Sequence, residues 1–405
     1  MEGPLSGIKV LDLTTFVAAP VCGRLLADMG AEVIKVEHPN GGDAWRKTGV
    51  GYNPSRFSEQ ENPVFDIYNS GKKHICLNLK SEEGMKIFHQ LLAEADVFIT
   101  NTRPAALKRL GISYEDLKEK YPKLVYGIVL GFGEKGPDAA KPAFDTSAFW
   151  SRSGFLRDMS AKDGSYQPVL PPFGVGDTVT GYVLAMQVCA ALLRRNTTGK
   201  GDYVRSSLYH NGIFTMGTME IITQQPFGKS YPTTRIDYGI PGGSYLCADG
   251  EWIFIAVGYY EILVPLLCQA IGREDLMTDP RFDTRENRQK NKDEYYAIFR
   301  DAFRQKPSNH WLELAAQLDI PVVRMNHFSD VAEDEQAWAN DYLEHVDFAN
   351  GHVDVMPTSP IEMESMGMIK TKPAPAPGAH TDEILTSLGY SAEAITAMKE
   401  SGAIK

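Results

Sequence analysis

The stretch best suited to chemistry is Phe173-Gly174-Val175-Gly176-Asp177, which follows prolines at positions 171 and 172. These prolines and glycines predict a tight turn, and residues 178–195 beyond it are rich in helix formers. Asp177 is therefore expected at or beside a helix start. Its carboxylate could cap the helix by accepting an unpaired backbone N–H. Alternatively, the same amides and the positive helix end could keep it ionised as a nucleophile that attacks a carbonyl carbon.

Composition excludes several classes of protein. A chain of 405 residues predicts two domains, and a net charge of −11 with a pI near 5.4 argues against nucleic-acid binding. We expect no membrane segment, because no apolar run approaches the ~18 residues of a span, and no signal peptide at the first residues. Five scattered cysteines and the lack of an HExxH pair favour a reducing, cytoplasmic location without a metal site.

The first 130 residues alternate strand and helix patterns. Predicted helices cover Ala18–Met29 and a segment capped by Ser81. The predicted strands alternate with helical segments and are Ile8–Leu13, Glu32–Glu37, Val97–Thr100 and Leu124–Leu130. This alternation predicts an α/β fold with a Rossmann-like parallel sheet, whose ligands bind beyond the carboxyl ends of the strands.

A nicotinamide enzyme has a similar layout, with an acidic residue, Glu37, ending the second strand. However, the turn after the first strand, residues 14–20, lacks the glycines that let a backbone approach a pyrophosphate. The sequence therefore disfavours a nicotinamide cofactor.

The pattern changes after residue 220. Segments Ser244–Cys247 and Trp252–Val257 flank an Asp249-Gly250 turn and predict a hairpin. Amphipathic helices follow, and then a return strand at Ile320–Arg324. We interpret residues 1–220 as the first part of a large domain, 221–330 as a smaller α+β domain, and 331–405 as a segment that returns to the large domain.

Seven separated segments resemble class III CoA-transferases over nearly the whole chain, in order. They are Leu5–Leu13, Gly30–Glu37, Asn69–Lys80, Gly131–Pro137, the Gly176-Asp177 pair with Gly181, Thr198–Gly201 and Pro377–Thr381. The resemblance implies that Asp177 is the nucleophile and that coenzyme A is carried as a thioester, without a metal or nicotinamide. The oxyanion intermediates need N–H donors, for which the turn before Asp177 and the Gly242-Gly243 pair are candidates.

The resemblance also assigns residues to coenzyme A binding. These are Val17, Ala18, His38, Ile75, Cys76, Leu77, Asn78, Asn101, Thr102, Arg103, Arg109 and Lys141. Three of them, Arg103, Arg109 and Lys141, are cations suited to phosphate. Two positions depart from the family pattern, because Val17 replaces a glutamine and His38 replaces a frequent arginine.

Two alternatives to CoA transfer remain open. Acyl-CoA racemases of the same fold use a histidine in a Gly-His-Asp segment, but the corresponding segment here is Ala143-Phe144-Asp145. Phenylalanine cannot accept a proton, so the sequence favours transfer over racemisation. A CoA-ester-binding subunit without catalytic activity is the other alternative.

Residues 119–125 and 333–343 resemble the (R)-2-hydroxyacid CoA-transferase branch, which serves amino-acid fermentation. That resemblance implies an enoyl-CoA donor, a 2-hydroxy acid acceptor, an interlocked homodimer and a 2-hydroxyacyl-CoA dehydratase as partner. An apolar acyl pocket would suit such substrates. The residues that could line it are Phe16, Val17, Phe144, Phe149, Trp150 and Phe155. Aromatic residues at helical or strand spacing are, however, more often core residues, and this alternative stays open.

Overall fold

The computed structural model describes residues 3–59, 61–158, 171–228, 241–257 and 260–405. The chain divides into two compact units. The first unit consists of Met1–Phe155, Leu170–Gly217 and Asp334–Lys405, and the second of Leu156–Val169 and Thr218–Glu333.

The first unit is built on a six-stranded parallel sheet, as predicted. Its strands are β1 Lys9–Leu13, β2 Glu32–Glu37, β3 Lys73–Cys76, β4 Val97–Thr100, β5 Val125–Leu130 and β6 Tyr203–Ser207. They lie in the order β3-β2-β1-β4-β5-β6. The sequence patterns predicted four of these strands and missed β3 and β6, which lie at the two edges of the sheet.

Helices connect and follow the strands. In chain order, the α-helices are α1 Ala18–Asp28, α2 Trp45–Tyr52, α3 Pro63–Asn69, α4 Glu82–Glu94, α5 Pro104–Leu110, α6 Tyr114–Leu117, α7 Phe155–Asp158, α8 Val175–Thr198, α9 Leu208–Thr215, α10 Gly217–Ile222, α11 Tyr260–Ala270, α12 Arg285–Lys290, α13 Lys292–Phe303, α14 Ser308–Gln317, α15 Glu335–Ala339, α16 Thr381–Ser387 and α17 Ala392–Glu400. A π-helical segment covers Asp145–Ser151, and 3₁₀ turns cover Glu274–Met277 and Asp330–Glu333.

Both faces of the sheet are buried, which explains why its strands are apolar on both sides. Val10 and Val33 face one core with Leu25 and Leu26 of α1 and Leu184 of α8. The opposite core receives alternate strand residues and side chains from α4, α5, α16 and α17, namely Leu11, Phe98, Phe88, Leu91, Leu107, Leu385 and Ile395. The sheet is therefore a rigid support for the loops at the carboxyl ends of its strands.

The end of the chain packs on the first unit. The Asn78 amide donates to the Ala403 carbonyl at 2.8 Å, and the His380 amide donates to the His74 carbonyl at 3.0 Å. Two small antiparallel hairpins of the first unit follow α15 and precede α16 in the chain. Their strands are β10 Leu343–Asp347, β11 Val353–Pro357, β12 Glu362–Met363 and β13 Gly367–Met368.

The second unit holds an antiparallel sheet and a helical layer. Its strands are β7 Gly243–Leu246, β8 Trp252–Ile255 and β9 Val322–Arg324. The β7-β8 pair confirms the predicted hairpin, and β9 is the predicted return strand, paired antiparallel with β8. The core of this unit is aromatic and includes Tyr245, Phe282, Tyr295, Phe299 and Phe303.

Helix α8 bears on the expectation that the chain has no membrane segment. Among the described helices, it alone has the length and mean hydropathy (1.3) of a membrane span. Its residues Gly181, Leu184 and Val188 are buried in the first unit, with Leu184 and Val188 in the core over the sheet. Burial of one face is typical of the central helix of a globular protein.

Three buried ion pairs lie beneath the strand ends. Lys72 contacts Asp12 at 2.9 Å and both side chains are fully buried. Burial lowers the pKa of Lys72 to about 8, although Asp12 opposes this change. The other two pairs are Lys35–Asp43 at 3.0 Å and Arg46–Glu37 at 2.8 Å.

We predict that Asp12→Ala lowers the free energy of unfolding by about 3–5 kcal/mol, because it leaves the Lys72 ammonium buried without its carboxylate. The double variant Asp12→Leu/Lys72→Met removes both charges and should recover at least half of that loss. Urea unfolding at a fixed protein concentration measures both effects. Glu94→Ala is the matched control, because the Lys9–Glu94 pair is exposed on both sides; an equal cost for Asp12→Ala and Glu94→Ala would contradict the prediction.

Candidate active site

The start of α8 places Asp177 differently from the expected N-cap. The N-cap residue is Gly174, which has φ of 87° and no side chain to cap the helix. A left-handed backbone of this kind favours glycine. Asp177 is the third helical residue, so the interpretation of Asp177 as the N-cap is wrong. The adjacent Gly176 is fully packed, because a Cβ there would overlap Phe149 and Asp145.

A different carboxylate caps this helix. The Gly174 amide donates to Oδ2 of Asp145 at 2.8 Å, and Asp145 is buried. Burial raises the pKa of Asp145, although hydrogen bonds from the amides of Gly174, Gly176 and Asp177 lower it. While Asp145 accepts the Gly174 N–H, that amide cannot act as an oxyanion donor. Sequence reasoning treated Asp145 only as a neighbour of Phe144 and missed this role.

The electrostatics of Asp177 also differ from the expectation. Burial raises the pKa of Asp177 to about 7, and the negative charge of Asp145 adds to the increase. No hydrogen bond from a described residue offsets these effects. The prediction that the helix start keeps Asp177 fully ionised at neutral pH is therefore wrong for this structure, because Asp145 already occupies the helix start.

Four predicted binding residues line one cavity. The cavity has a volume of about 570 Å³ and lies at the carboxyl ends of β4 and β5. The predicted residues in its wall are Asn101, Arg103, Arg109 and Lys141, and Phe144 lines it as well. Lys141 forms an exposed pair with Asp138 at 2.5 Å. The cavity therefore combines three cations and the carboxylate of Glu134, which pairs with Arg205 at 2.7 Å, with an apolar wall.

Other predicted polar residues have structural partners near this cavity. The Asn101 amide group donates to the Thr15 carbonyl at 2.7 Å, and its oxygen accepts the Thr15 N–H at 3.0 Å. Asn101 therefore fixes the turn after β1. The Thr102 amide donates to the Thr100 hydroxyl at 3.1 Å. His38 is exposed just after β2, and its Nδ1 accepts the Asn40 amide at 3.0 Å.

The predicted aliphatic residues are mostly buried. Side chains of Val17, Ala18, Ile75, Cys76 and Leu77 all lie in the core, so any contact they make with a ligand must come from the backbone. Asn78 is half-buried after β3, where its side-chain oxygen accepts the Lys80 amide at 3.1 Å. None of these positions lines the cavity described above.

The predicted acyl-pocket residues divide into two groups. Phe149 and Trp150 are buried core residues, and Phe155 packs on Trp150 with ring centroids 4.4 Å apart. The burial of Phe149 and Trp150 therefore agrees with the alternative that they are core residues. Phe16 and Phe144 are exposed and contact each other at 5.8 Å.

Two further aromatic residues join this exposed pair, and sequence reasoning assigned neither of them to the acyl pocket. Trp45 contacts Phe16 and Phe173 at centroid distances of 6.2 and 6.1 Å. Phe173 directly precedes the N-cap of α8. Trp45 lies at the start of a helix that the sequence patterns did not predict, so no signal pointed to it.

The predicted glycine pair lies in the second unit. Gly242 and Gly243 are buried, and Gly243 begins β7 with φ of 103°. This conformation explains why a glycine stands at position 243. A catalytic role for the pair stays a prediction.

Comparison with known proteins gives a consistent result. The profile of CoA-transferase family III matches residues 5–381. An (R)-2-hydroxy-4-methylpentanoate CoA-transferase of Clostridioides difficile is 39% identical over 402 residues, which is 99% of each chain. A cinnamoyl-CoA:phenyllactate CoA-transferase of Clostridium sporogenes is 38% identical over 401 residues, covering 98% of this chain and 96% of the relative.

A solved structure agrees with these sequence comparisons. A CAIB/BAIF family protein from Brucella suis is 27% identical and matches with a TM-score of 0.82. The match covers 96% of this chain and 100% of the other.

We predict that Asp177→Asn stabilises the protein at pH 8 by on the order of 2 kcal/mol, with partial exposure limiting the gain. The fold raises the pKa of Asp177 from 3.8 to about 7, so the stabilising contribution of the protonated form is complete below pH about 4 and is lost as pH rises through 7. The Tm of both proteins at pH 4.5 and pH 8 measures this, with a larger difference at pH 8. A helix cap would give the opposite sign, because removing a capping carboxylate costs about 1 kcal/mol.

Proposed function

The chain belongs to CoA-transferase family III, and from this premise we propose that it moves coenzyme A from an enoyl-CoA to an (R)-2-hydroxy carboxylic acid. The proposed intermediate is a thioester between Asp177 and coenzyme A. The relatives at 39% and 38% identity are named for 2-hydroxy-4-methylpentanoate and for phenyllactate with cinnamoyl-CoA, respectively. Both acids are 2-hydroxy acids, which supports this substrate class.

The observation that carries the proposal is the environment of Asp177. Its carboxylate is desolvated, and no described residue donates a hydrogen bond to it. Asp145, one residue from the Phe144 cavity wall, contacts the same helix start. A carboxylate with so little stabilisation of its charge is suited to attack a carbonyl carbon bound nearby.

The reaction proceeds without net proton transfer. An oxygen of Asp177 attacks the thioester carbon, the C–S bond breaks, and coenzyme A leaves as a thiolate. The thiolate attacks the Asp177 carbonyl of the resulting anhydride, which releases the donor acid as a carboxylate and leaves an aspartyl-CoA thioester. The acceptor carboxylate attacks that thioester, and the C–S bond breaks to release the thiolate and form a second anhydride. The thiolate then attacks the acceptor acyl carbon of this anhydride, whose bond to the Asp177 oxygen breaks. The final step restores the Asp177 carboxylate.

The cavity at the carboxyl ends of β4 and β5 fits the polyanionic part of coenzyme A. Arg103 and Arg109 supply planar donors for phosphate oxygens, and Lys141 adds a third positive charge. Val17 and His38 differ from the family pattern. We propose that Val17 contacts coenzyme A through its backbone and that His38 makes a weaker polar contact than an arginine would. Gly242 and Gly243 are proposed as oxyanion donors.

Racemisation is the weaker candidate function. Phe144 occupies the position where a racemase has its histidine base, and its ring packs on Phe16. Without a proton acceptor at this position, one half of the acid-base pair is missing. A binding subunit without activity would not require the unstabilised carboxylate of Asp177.

The cellular setting is also a proposal. A protein of this composition and family would act in the cytoplasm as an interlocked homodimer. A 2-hydroxyacyl-CoA dehydratase would consume its product. Purification at low ionic strength with the dehydratase as bait tests whether the two proteins associate.

We predict that an acceptor panel with one enoyl-CoA donor gives at least about 10-fold higher kcat/KM for 2-hydroxy acids than for oxalate, formate or carnitine, as a difference of ~1.4 kcal/mol in transition-state binding requires. Mass spectrometry of the acyl-CoA products measures each rate. Comparable rates for oxalate would contradict the proposed substrate class.

The same assay also tests for the proposed thioester between Asp177 and coenzyme A. Asp177→Asn should lose more than about 10⁴-fold in kcat, as expected for loss of a covalent nucleophile. Hydroxylamine added during turnover should convert Asp177 to a hydroxamate in the wild-type protein. Normal turnover by Asp177→Asn would exclude the aspartyl thioester.

We predict that Arg103→Ala and Arg109→Ala each raise KM for acyl-CoA about 10- to 100-fold, the usual worth of a charge-assisted hydrogen bond. KM for the acceptor acid should be unchanged. An acyl-pantetheine donor lacks the nucleotide phosphates and should react equally with the variants and the wild type. Lys108→Ala is the matched control, because this exposed α5 lysine pairs with Asp116 and does not line the cavity. Equal losses with acyl-pantetheine would contradict the phosphate assignment.

A further inference from the structure

Four aromatic side chains form a continuous surface beside the start of α8. We call this the aromatic surface, and it consists of Phe16, Trp45, Phe144 and Phe173. Trp45 is its centre and is held by its indole N–H, which donates to the Val64 carbonyl at 2.8 Å. Phe16 and Phe173 contact Trp45, and Phe144 meets Phe16 edge to face. Each ring of the aromatic surface therefore packs against at least one other ring of that surface.

The outer rings of this surface are exposed although nearby rings are buried. Phe144 is 59% exposed, Phe173 is 55% exposed and Phe16 is 37% exposed. Tyr52 stacks on Phe173 with ring planes 7° apart and is exposed as well. Trp45 itself is buried beneath the exposed rings. Exposed aromatic rings gathered on a buried aromatic base are typical of a binding site in a folded protein.

Phe16 adopts a backbone conformation that is unfavourable for its side chain. Its φ is 63°, a left-handed value that few bulky residues adopt. The Phe16 amide donates to Asp43 Oδ1 at 3.0 Å, and Asn101 holds the preceding Thr15 from both sides. Strain of this kind persists at binding sites when surrounding contacts enforce it. Because the ring is not buried, core packing does not explain the strain.

The aromatic surface extends from the cavity to the turn that carries Asp177. Phe144 lines the cavity with Arg103 and Arg109. At the other end, Phe173 immediately precedes Gly174, the N-cap of α8. An acyl group attached to coenzyme A in the cavity would meet these rings on its way to Asp177.

We propose that the aromatic surface binds an aryl side chain of the acyl group. The enzyme would then prefer 2-hydroxy acids with an aromatic ring, and the matching aryl-substituted enoyl-CoA, over branched aliphatic ones. This inference rests on the proposed function. Ring contacts in edge-to-face or offset geometry add to simple burial, and two such contacts are worth about 5- to 50-fold in kcat/KM. A branched alkyl chain also buries apolar area at this surface, but it gains no stabilisation from ring-to-ring contacts.

The test is a ratio measured in one assay. It is kcat/KM for (R)-2-hydroxy-3-phenylpropanoate divided by that for (R)-2-hydroxy-4-methylpentanoate. We expect the wild-type protein to favour the phenyl acid by about 5- to 50-fold. Phe144→Leu and Phe16→Gly should each reduce the ratio at least about 3-fold, since each removes one ring contact. Phe328→Leu is the matched control, because Phe328 is 87% exposed and lies in the second unit.

The Phe16→Gly variant distinguishes a role of Phe16 in substrate binding from a role in protein stability. Glycine adopts positive φ without strain, so the Tm of this variant should equal or exceed that of the wild type while the ratio falls. A wild-type ratio near 1, or a ratio unchanged in both variants, would overturn the inference and leave the proposed function intact. Equal losses for both acids with a lower Tm would also overturn it, because that pattern indicates a structural role. Failure to transfer coenzyme A to either acid would instead reject the proposed function.

Discussion

The hydrogen bond between the Gly174 amide and Asp145 determines the chemistry of the site. A helix N-terminus stabilises one carboxylate through its free amides, and here Asp145 receives that stabilisation. Asp177 follows within the same helical turn and gains no hydrogen bond from a described residue, so burial and the neighbouring negative charge raise its pKa to about 7. The two carboxylates therefore differ in environment, because one accepts an amide at the helix start and the other has no described hydrogen-bond donor, as the proposed nucleophile requires.

The turn after β1 depends on a second buried interaction, the ion pair between Lys35 and Asp43. Asp43 contacts the Lys35 ammonium at 3.0 Å and accepts the Phe16 amide at 3.0 Å. A buried ion pair contributes little net stability, but removing one partner is costly, so such pairs keep a loop in one geometry. The strained Phe16 is held by this geometry. The buried Lys35–Asp43 pair therefore helps to hold the exposed Phe16 ring in place.

Sequence patterns predicted the architecture well because it follows from local rules. Alternating apolar strands and capped helices gave four of the six strands, and the Ser81 cap accepts the Gly84 amide at 3.1 Å as expected. The edge strand β3 was missed because Lys73 and the buried His74 interrupt the apolar pattern of its four residues. Arg103, Arg109 and Lys141 were grouped through the family resemblance, and their positions beyond β4 and β5 agree with ligand binding at the carboxyl ends of parallel strands.

The details of the site could not be predicted in the same way. Asp145 is 32 positions before Asp177, and nothing in local sequence shows that it occupies the helix start. Phe149 and Trp150 have the same residue types as the exposed rings, and only their burial separates core from surface. Trp45 enters the site through helix α2, whose two glycines and polar residues gave no helical pattern.

The raised pKa of Asp177 favours the proposed covalent chemistry. A carboxylate with a pKa near 7 is intrinsically more basic than one with a pKa near 4, and about half of it is ionised at neutral pH. Halving the reactive population costs about 0.4 kcal/mol, which is small beside the barrier changes of covalent catalysis. Acylation converts the charged carboxylate into a neutral anhydride and then a neutral thioester. Both products end the repulsion from Asp145 and the penalty of burial, so the environment that disfavours the resting carboxylate favours the proposed intermediates.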